Sequence, residues 1–354
     1  MTEYRIGVIN FGSTSTKVAC YESERMLFVE NIKHAAAELA QFKEVFDQLE
    51  YRYEKIIECF RQHGIDVSKL DCIASRGGNI APRPGGVYKI TRNMAEEAAS
   101  GKYGVHPSNL GPSIALKIAE TGPLPITCDP PTTDEFGPLA RYSGIPEINR
   151  ISSFQALNQR AVGKKHAELT GAEYEKLNLI IAHMGGGISV VVHDHGRMVD
   201  ANNALDGDGP FSTNRAGALP TGELIDLCFS GRYTHQEMRK RINGNGGLVA
   251  YVGENDVQLI EEKAENDEAC REVLEAMCYQ VGKEIGSAAT VVNGRVDAIL
   301  ISGGMANSKW LMQMIEEKVG FIAPVYLYPG EFEMETLAGN ALAVLKGEVV
   351  PTEI

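Results

Sequence analysis

A chain of 354 residues with 44% apolar and 23% charged residues is long enough for two domains and has a globular composition, which excludes a disordered or fibrous protein. Its formal net charge of -13 argues against a nucleic-acid surface, which needs Lys/Arg patches interleaved with aromatics, and the sequence has no such cluster. The seven cysteines are scattered and never spaced as Cys-x-x-Cys, so buried reduced thiols are expected rather than zinc sites or disulfides.

In chain order, Met1-Thr-Glu-Tyr-Arg leads straight into a strand and no apolar run reaches transmembrane length, so neither leader nor membrane span is expected, and the location expected is cytoplasmic. Residues 6–21 then read as strand, turn, strand: Ile6 and Val8, the turn Asn10-Phe-Gly-Ser-Thr-Ser-Thr-Lys17, and Val18, Cys20 and Tyr21. Glycine and hydroxyl residues at such a tip expose N–H and O–H donors that can hold phosphate oxygens, although the same composition also suits an ordinary turn. Leu49, Tyr53, Ile56, Ile57 and Phe60 recur at helical spacing and stop at Gly64. A short strand over residues 72–75 delivers Arg76-Gly77-Gly78 at its C-terminal end, where open α/β sheets place ligand-binding groups. Asn93 with Glu96 reads as a capping box, residues 112–122 as a helix, and residues 125–128 as a strand presenting Asp129.

The Gly/Pro-bearing run 137–150 is the expected domain boundary. Beyond it a helix from about 152 to 169 leads into a strand at 177–182, the turn His183-Met-Gly-Gly-Gly-Ile-Ser189, and a strand at 190–193. The first architecture thus recurs without sequence identity, and two phosphate hairpins imply a cleft between two domains that closes to exclude water. The run from Asp206 to Gly217 holds too many turn residues for helix or strand, and loops of that kind carry function. Thr234 and Glu237 cap a short helix, and residues 267–292 carry Val273, Met277, Val281 and Ile285 on one helical face. A strand at 296–302 ends in Gly303-Gly304, and a last helix from about 333 to 345 is expected to return to the first domain. The chain lacks the Gly-x-x-x-x-Gly-Lys-Ser/Thr loop, the Gly-x-Gly-x-x-Gly turn after a strand and the Gly-x-Ser-x-Gly elbow. Three glycine turns at strand ends with two arginines and two carboxylates form the set that phosphoryl transfer needs.

The turn Asn10-x-Gly-Ser-x-Ser-x-Lys17, the stretch His183-Met-Gly-Gly-Gly, the segment Asn203-x-Leu-Asp-Gly-Asp-Gly-Pro-Phe-Ser212 and Ile301-Ser-Gly-Gly304, in that order, resemble the acetate kinase family over residues 4–347. That resemblance implies an α/β protein of two domains with the duplicated ribonuclease-H-like, actin-like ATPase fold and mixed β-sheets. The domains would be 1–150 plus 334–354 and 151–333. It implies a reversible reaction of ATP with a short-chain carboxylate to give ADP and an acyl phosphate, with Mg, in a homo-oligomer of two or more subunits.

By the same resemblance, Arg76, Asp129, Arg215 and His183 are catalytic. Asn10, Gly12, Ser13, Ser15 and Lys17 form the first phosphate loop, Gly185, Gly186 and Gly187 the second, and Gly303 and Gly304 the adenosine loop. Glu333 is the Mg-associated carboxylate together with Asn10, with Glu331 and Glu335 as close alternatives. Gly78, Val105, His106, Phe154, Gln155 and Pro210 line the substrate pocket. Gln155 stands where related kinases usually carry histidine, and an amide donates a hydrogen bond but carries no charge. Relatives that take acetate tend to have valine at Gly78, so its missing side chain is read as lengthening the pocket toward butyrate, isobutyrate or valerate. Two further readings share the fold: a sugar kinase, disfavoured by an apolar pocket, and a nucleotide-binding switch without phosphoryl transfer.

Overall fold

The computed structural model describes residues 3–354. By internal packing the chain forms two units, one of Met1–Thr133, Ala156–Asn158 and Phe332–Ile354, the other of Asp134–Gln155 and Gln159–Glu331. The boundary expected near 150 therefore falls inside the second unit.

In the first unit, β1 (Arg5–Phe11) is buried at every position after Arg5, as a strand covered on both faces must be. It pairs antiparallel with β2 (Ser15–Glu22), which pairs with the more exposed β3 (Arg25–Lys33). The helices α1 (Ala36–Leu39) and α2 (Leu49–Gln62) follow, then β4 (Cys72–Ser75), β5 (Val87–Lys89), α3 (Arg92–Ala99), α4 (Leu110–Ala119) and β6 (Leu124–Cys128). The sheet order is β3-β2-β1-β4-β6-β5, with β4 and β6 running parallel to β1. Side chains alternate across it. Ile9, Phe11, Val18 and Ile73 pack with the helix residues Ile56, Phe60, Met94 and Ile114, while Ile6, Val8, Ala19 and Ala74 pack with Leu337, Ala341 and Leu342. The helix cap expected at Asn93 lies at Thr91 instead, whose hydroxyl accepts from Met94 N–H at 3.2 Å. Thr91 has the extended backbone that an N-cap requires.

The second unit carries α5 (Ala156–Thr170) from Gln159 onward, then β7 (Asn178–Met184), β8 (Ile188–Asp194) and β9 (Arg197–Ala201). Next come α6 (Thr221–Phe229), α7 (His235–Ile242), α8 (Gly247–Val252), α9 (Val257–Ala264) and α10 (Glu268–Val291), then β10 (Ala298–Gly303), α11 (Lys309–Val319) and β11 (Val325–Pro329). Its sheet order, β11-β10-β7-β8-β9, repeats the first five strands of the other sheet, which adds only the antiparallel β5: an antiparallel meander of three strands with two parallel strands beside the first of them. The repeat expected from the two turns is thus a repeat of topology. Ile180, Ala182, Met184, Ile299 and Ile301 pack against Met277, Val281, Ile285 and Ile315. The final helix, α12 (Glu333–Leu345), belongs to the first unit, where Leu337 and Ala341 are fully buried.

The sequence placed α5 near residue 152 and the second turn at 183–189. The structure starts the helix at Ala156 and extends the flanking strands, so His183 and Met184 belong to β7 and Ser189 to β8. Six cysteines are buried as expected, but Cys228 on α6 is exposed. Among the described residues no helix is long and apolar enough to cross a membrane.

One buried histidine links this packing to pH. His34, 5% exposed, is hydrogen-bonded to Thr16 Oγ1 at 2.8 Å and to Tyr51 Oη at 3.2 Å, and burial with nearby Arg52 pulls its pKa from 6.5 down to about 4. The folded state holds it neutral while the unfolded chain takes up a proton between those values, so stability is lost as pH falls through that window. The urea midpoint should fall between pH 6.5 and 4, and His34→Gln should flatten that slope.

Candidate active site

In the first unit, parallel pairing puts the C-terminal ends of β1, β4 and β6 at one edge of the sheet. The turn 12–14 leaves β1 there, Arg76 follows β4, and Asp129 follows β6. Arg76 N–H donates to Ile9 O at 2.9 Å, carrying the β1–β4 ladder one residue further and fixing where the guanidinium starts. Arg76 Nη1 lies 3.3 Å from Glu333 Oε2, and Asn10 Nδ2 donates to the same oxygen at 2.5 Å. Glu333 is only 4% exposed and Asn10 6%, so a charged carboxylate is held nearly dry with a cation and an amide as partners. Glu331 and Glu335 are exposed, which leaves Glu333 as the glutamate that reaches the first turn. Asp129 is 4% exposed, and its Oδ1 accepts from Gly86 N–H at 3.0 Å. Its φ of +39 is rare for a non-glycine residue, and such strain collects at functional sites.

Ser13 and Thr14 are exposed at the tip of the first turn, with Ser15 and Lys17 opening β2. Sequence reasoning missed the residue behind that turn. Arg52, on α2 and fully buried, donates from Nη1 to Gly12 O, Ser15 O and Thr16 Oγ1 at 3.1, 3.2 and 3.1 Å, and from Nη2 to Ser13 O at 3.1 Å. A signal was present: Arg52 lies three residues after Leu49 and four before Ile56, on the apolar stripe that a solvent-facing charge would avoid.

In the second unit the edge is built in the same way. β7 delivers His183, 3% exposed, with Nδ1 hydrogen-bonded to Ser302 Oγ at 3.3 Å. The turn Gly185-Gly186-Gly187 follows, and Gly186 O accepts from Ser212 Oγ at 2.7 Å and from Thr213 Oγ1 at 3.4 Å. Neither hydroxyl was singled out as a site residue. Arg215 Nη1 donates to Ala204 O at 2.6 Å, and Nε is buried without a hydrogen-bond partner. Burial lowers the Arg215 pKa, and the group remains a cation at neutral pH. Gly303 ends β10 with φ +93, and Gly304 opens the short 3-10 turn that leads to α11. Gly185, Gly186, Thr213, Gly304, Met305 and Asn307 are among the residues lining one cavity of about 570 Å³, within the range of small-molecule sites.

The expected substrate residues fare unevenly. Phe154 and Pro210 are buried, and Gln155 Oε1 accepts from Ser189 Oγ at 3.4 Å, beside the start of β8. His106 Nδ1 accepts from Ser108 N–H at 3.1 Å and so caps a 3-10 turn, and Val105 is 65% exposed. The reading of Gly78 as added pocket length is corrected: a Cβ there would sit 2.5 Å from Asn109 Cα. The space is already filled by backbone, and the glycine serves close packing of the segment after Arg76 against residue 109. Elsewhere Glu30, Cys59 and His63 gather at the C-terminal end of α2, with Glu30 Oε2 2.8 Å from His63 Nε2 and 3.6 Å from Cys59 Sγ. Those mutual hydrogen bonds account for the cluster.

A Cβ on Gly187 would lie 1.8 Å from Arg215 Nη1, whereas one on Gly186 would meet nothing within 4 Å. Gly187→Ala should therefore expel the guanidinium from Ala204 O and leave a buried carbonyl unpaired, costing about 1 to 3 kcal/mol in chemical unfolding. Gly186→Ala is the control and should be nearly neutral.

The Acetokinase family matches residues 150–323 of the chain. A probable butyrate kinase of Bacteroides thetaiotaomicron is 46% identical over 353 residues, covering 99% of both chains. Butyrate kinase 2 of Clostridium acetobutylicum is 45% identical over 348 residues, covering 98% of both. Among solved structures, the acetate kinase of Porphyromonas gingivalis superposes with a TM-score of 0.78 at 16% identity, over 97% of this chain and all of that one, which establishes the shared fold. Near-complete matches at such identity leave one assignment: the chain belongs to the acetokinase family, with the actin-like ATPase fold of two mixed β-sheets.

Proposed function

We propose that this protein transfers the terminal phosphoryl group of ATP to a short-chain carboxylate, with butyrate as the preferred length, giving ADP and the acyl phosphate reversibly. The relationship to butyrate kinases over essentially the whole chain carries the reading. The dry Arg76–Glu333–Asn10 cluster and the strand-end glycine turns supply groups suited to it.

In the forward direction a carboxylate oxygen attacks the γ-phosphorus and the bond to the ADP oxygen breaks. Both reactants are anionic, so catalysis rests on positioning and charge. Arg76 holds the substrate carboxylate and offsets charge on the phosphoryl group. Arg215 supplies a cation for phosphate charge, its Nη1 bonded to the neutral Ala204 O. His183 and Gln155 donate hydrogen bonds to phosphoryl oxygens, and Asp129 orients the reacting groups. The turns 12–15 and 185–187 hold phosphates through backbone N–H groups, and the cavity beside Gly304 takes the adenosine.

Magnesium needs oxygen ligands, and the Glu333 carboxylate with the Asn10 side chain is a donor set of that kind. There the ion would neutralise phosphate charge. The same family relationship supports a homo-oligomeric enzyme of the cytoplasm.

The test is a hydroxylamine-trapped acyl-phosphate assay across acetate, propionate, butyrate, isobutyrate and valerate. One methylene in an apolar pocket is worth about 1 to 3 kcal/mol, so kcat/KM for acetate should lie about tenfold or more below that for butyrate. Arg76→Ala should lower turnover by roughly a thousandfold. Gln155→His reports whether the amide limits the rate. ATP binding without product from any acid would refute the carboxylate kinase reading, and equal kcat/KM on acetate and butyrate would refute the chain-length preference.

A further inference from the structure

Arg52 is a fully buried guanidinium whose hydrogen-bond partners are all neutral: Gln48 Oε1 at 2.9 Å, three carbonyls of the first phosphate turn, and the Thr16 hydroxyl. Burial lowers its pKa to about 10, so it stays charged at neutral pH. No carboxylate among the described residues pairs with it within 4.0 Å. A buried unpaired charge is costly, and simple structural pinning of a turn would be served by a neutral donor.

The geometry of the turn shows what the charge can do. In a trans peptide the N–H points opposite to the C=O of the preceding residue. Arg52 draws the carbonyls of Gly12 and Ser13 toward α2, so the N–H groups of Ser13 and Thr14 are turned away from it. Among the described residues neither N–H donates to a protein carbonyl or side chain. Two backbone donors at an exposed tip, with a cation held behind them, are groups of the kind that can hold an anion, the dipoles and the fixed charge acting in the same direction.

We propose that Arg52 is the positioning residue of the first phosphate turn: it fixes the direction of the turn's N–H groups and lends them its uncompensated charge, raising the affinity for the polyphosphate of ATP. It acts through the turn without touching the ligand. This inference rests on the kinase reading above, in which the turn holds phosphate.

Wild type, Arg52→Lys and Arg52→Gln are compared by MgATP titration, by KM for ATP and for butyrate, and by thermal unfolding. Arg52→Gln keeps donors and removes the charge, so Kd and KM for ATP should rise about tenfold or more while KM for butyrate moves less than about twofold. Arg52→Lys keeps the charge without the planar fork and should fall between. A folded Arg52→Gln with unchanged ATP affinity overturns the proposal, as does a parallel rise of both KM values. Should Arg52→Gln fail to fold, Arg52→Lys decides: wild-type ATP affinity in that variant overturns the positioning role, and a selective loss for ATP supports it. Wild type that binds no ATP overturns the kinase reading and this inference with it.

Discussion

The structure depends on one pairing decision made twice. β1 and β7 each take an antiparallel partner on one side and a parallel partner on the other. The antiparallel partner puts a tight turn at the C-terminal end of the strand. The parallel partner ends at that same edge, so whatever follows it emerges beside the turn. In the first sheet this brings Arg76 next to the turn after β1; in the second it brings Gly303 next to the turn after β7. Burial on both faces holds the register, because a slip of one residue would exchange the residues facing α12 for those facing α2 and α4.

Charges in this framework are treated in two ways. Glu333 is buried with partners that offset it, Arg76 and Asn10, so its cost is met within the protein. Arg52 is buried and Arg215 half-buried against neutral acceptors, and desolvation shifts both pKa values downward. A cation whose protein partners are neutral leaves its positive potential uncompensated within the protein, whereas Arg76 shares part of its charge with Glu333 through Nη1.

Much of this was legible in the sequence because the relevant signals are local. Gly and Ser between alternating apolar residues mark the turns, and a short apolar run before Arg76 or Asp129 marks a strand end. Thr234 with Glu237 and the long α10 stripe read correctly for the same reason. What failed was information held between segments. Gly78 looked like spare room because its neighbour, Asn109, lies 31 residues away in the chain but within 2.5 Å of the missing Cβ. Arg52 was overlooked because its partners are carbonyls about 40 residues earlier, and carbonyls leave no trace in the identity of a residue. The edge strands β3, β5, β9 and β11 were not read either, since exposed or very short strands lose the apolar runs that make central ones visible.

The two turns share topology and almost no sequence, and the structure explains how both can hold. A turn at such an edge must have its carbonyls drawn back if its N–H groups are to face outward. In the first unit a guanidinium from α2 does this from behind, contacting Gly12, Ser13 and Ser15. In the second, the Ser212 and Thr213 hydroxyls take Gly186 O, and the arginine of that unit lies over the turn at Gly187. Different side chains meet the same backbone requirement, so duplication preserves the pairing pattern and leaves the supporting residues free to diverge. The cation sits behind one turn and over the other.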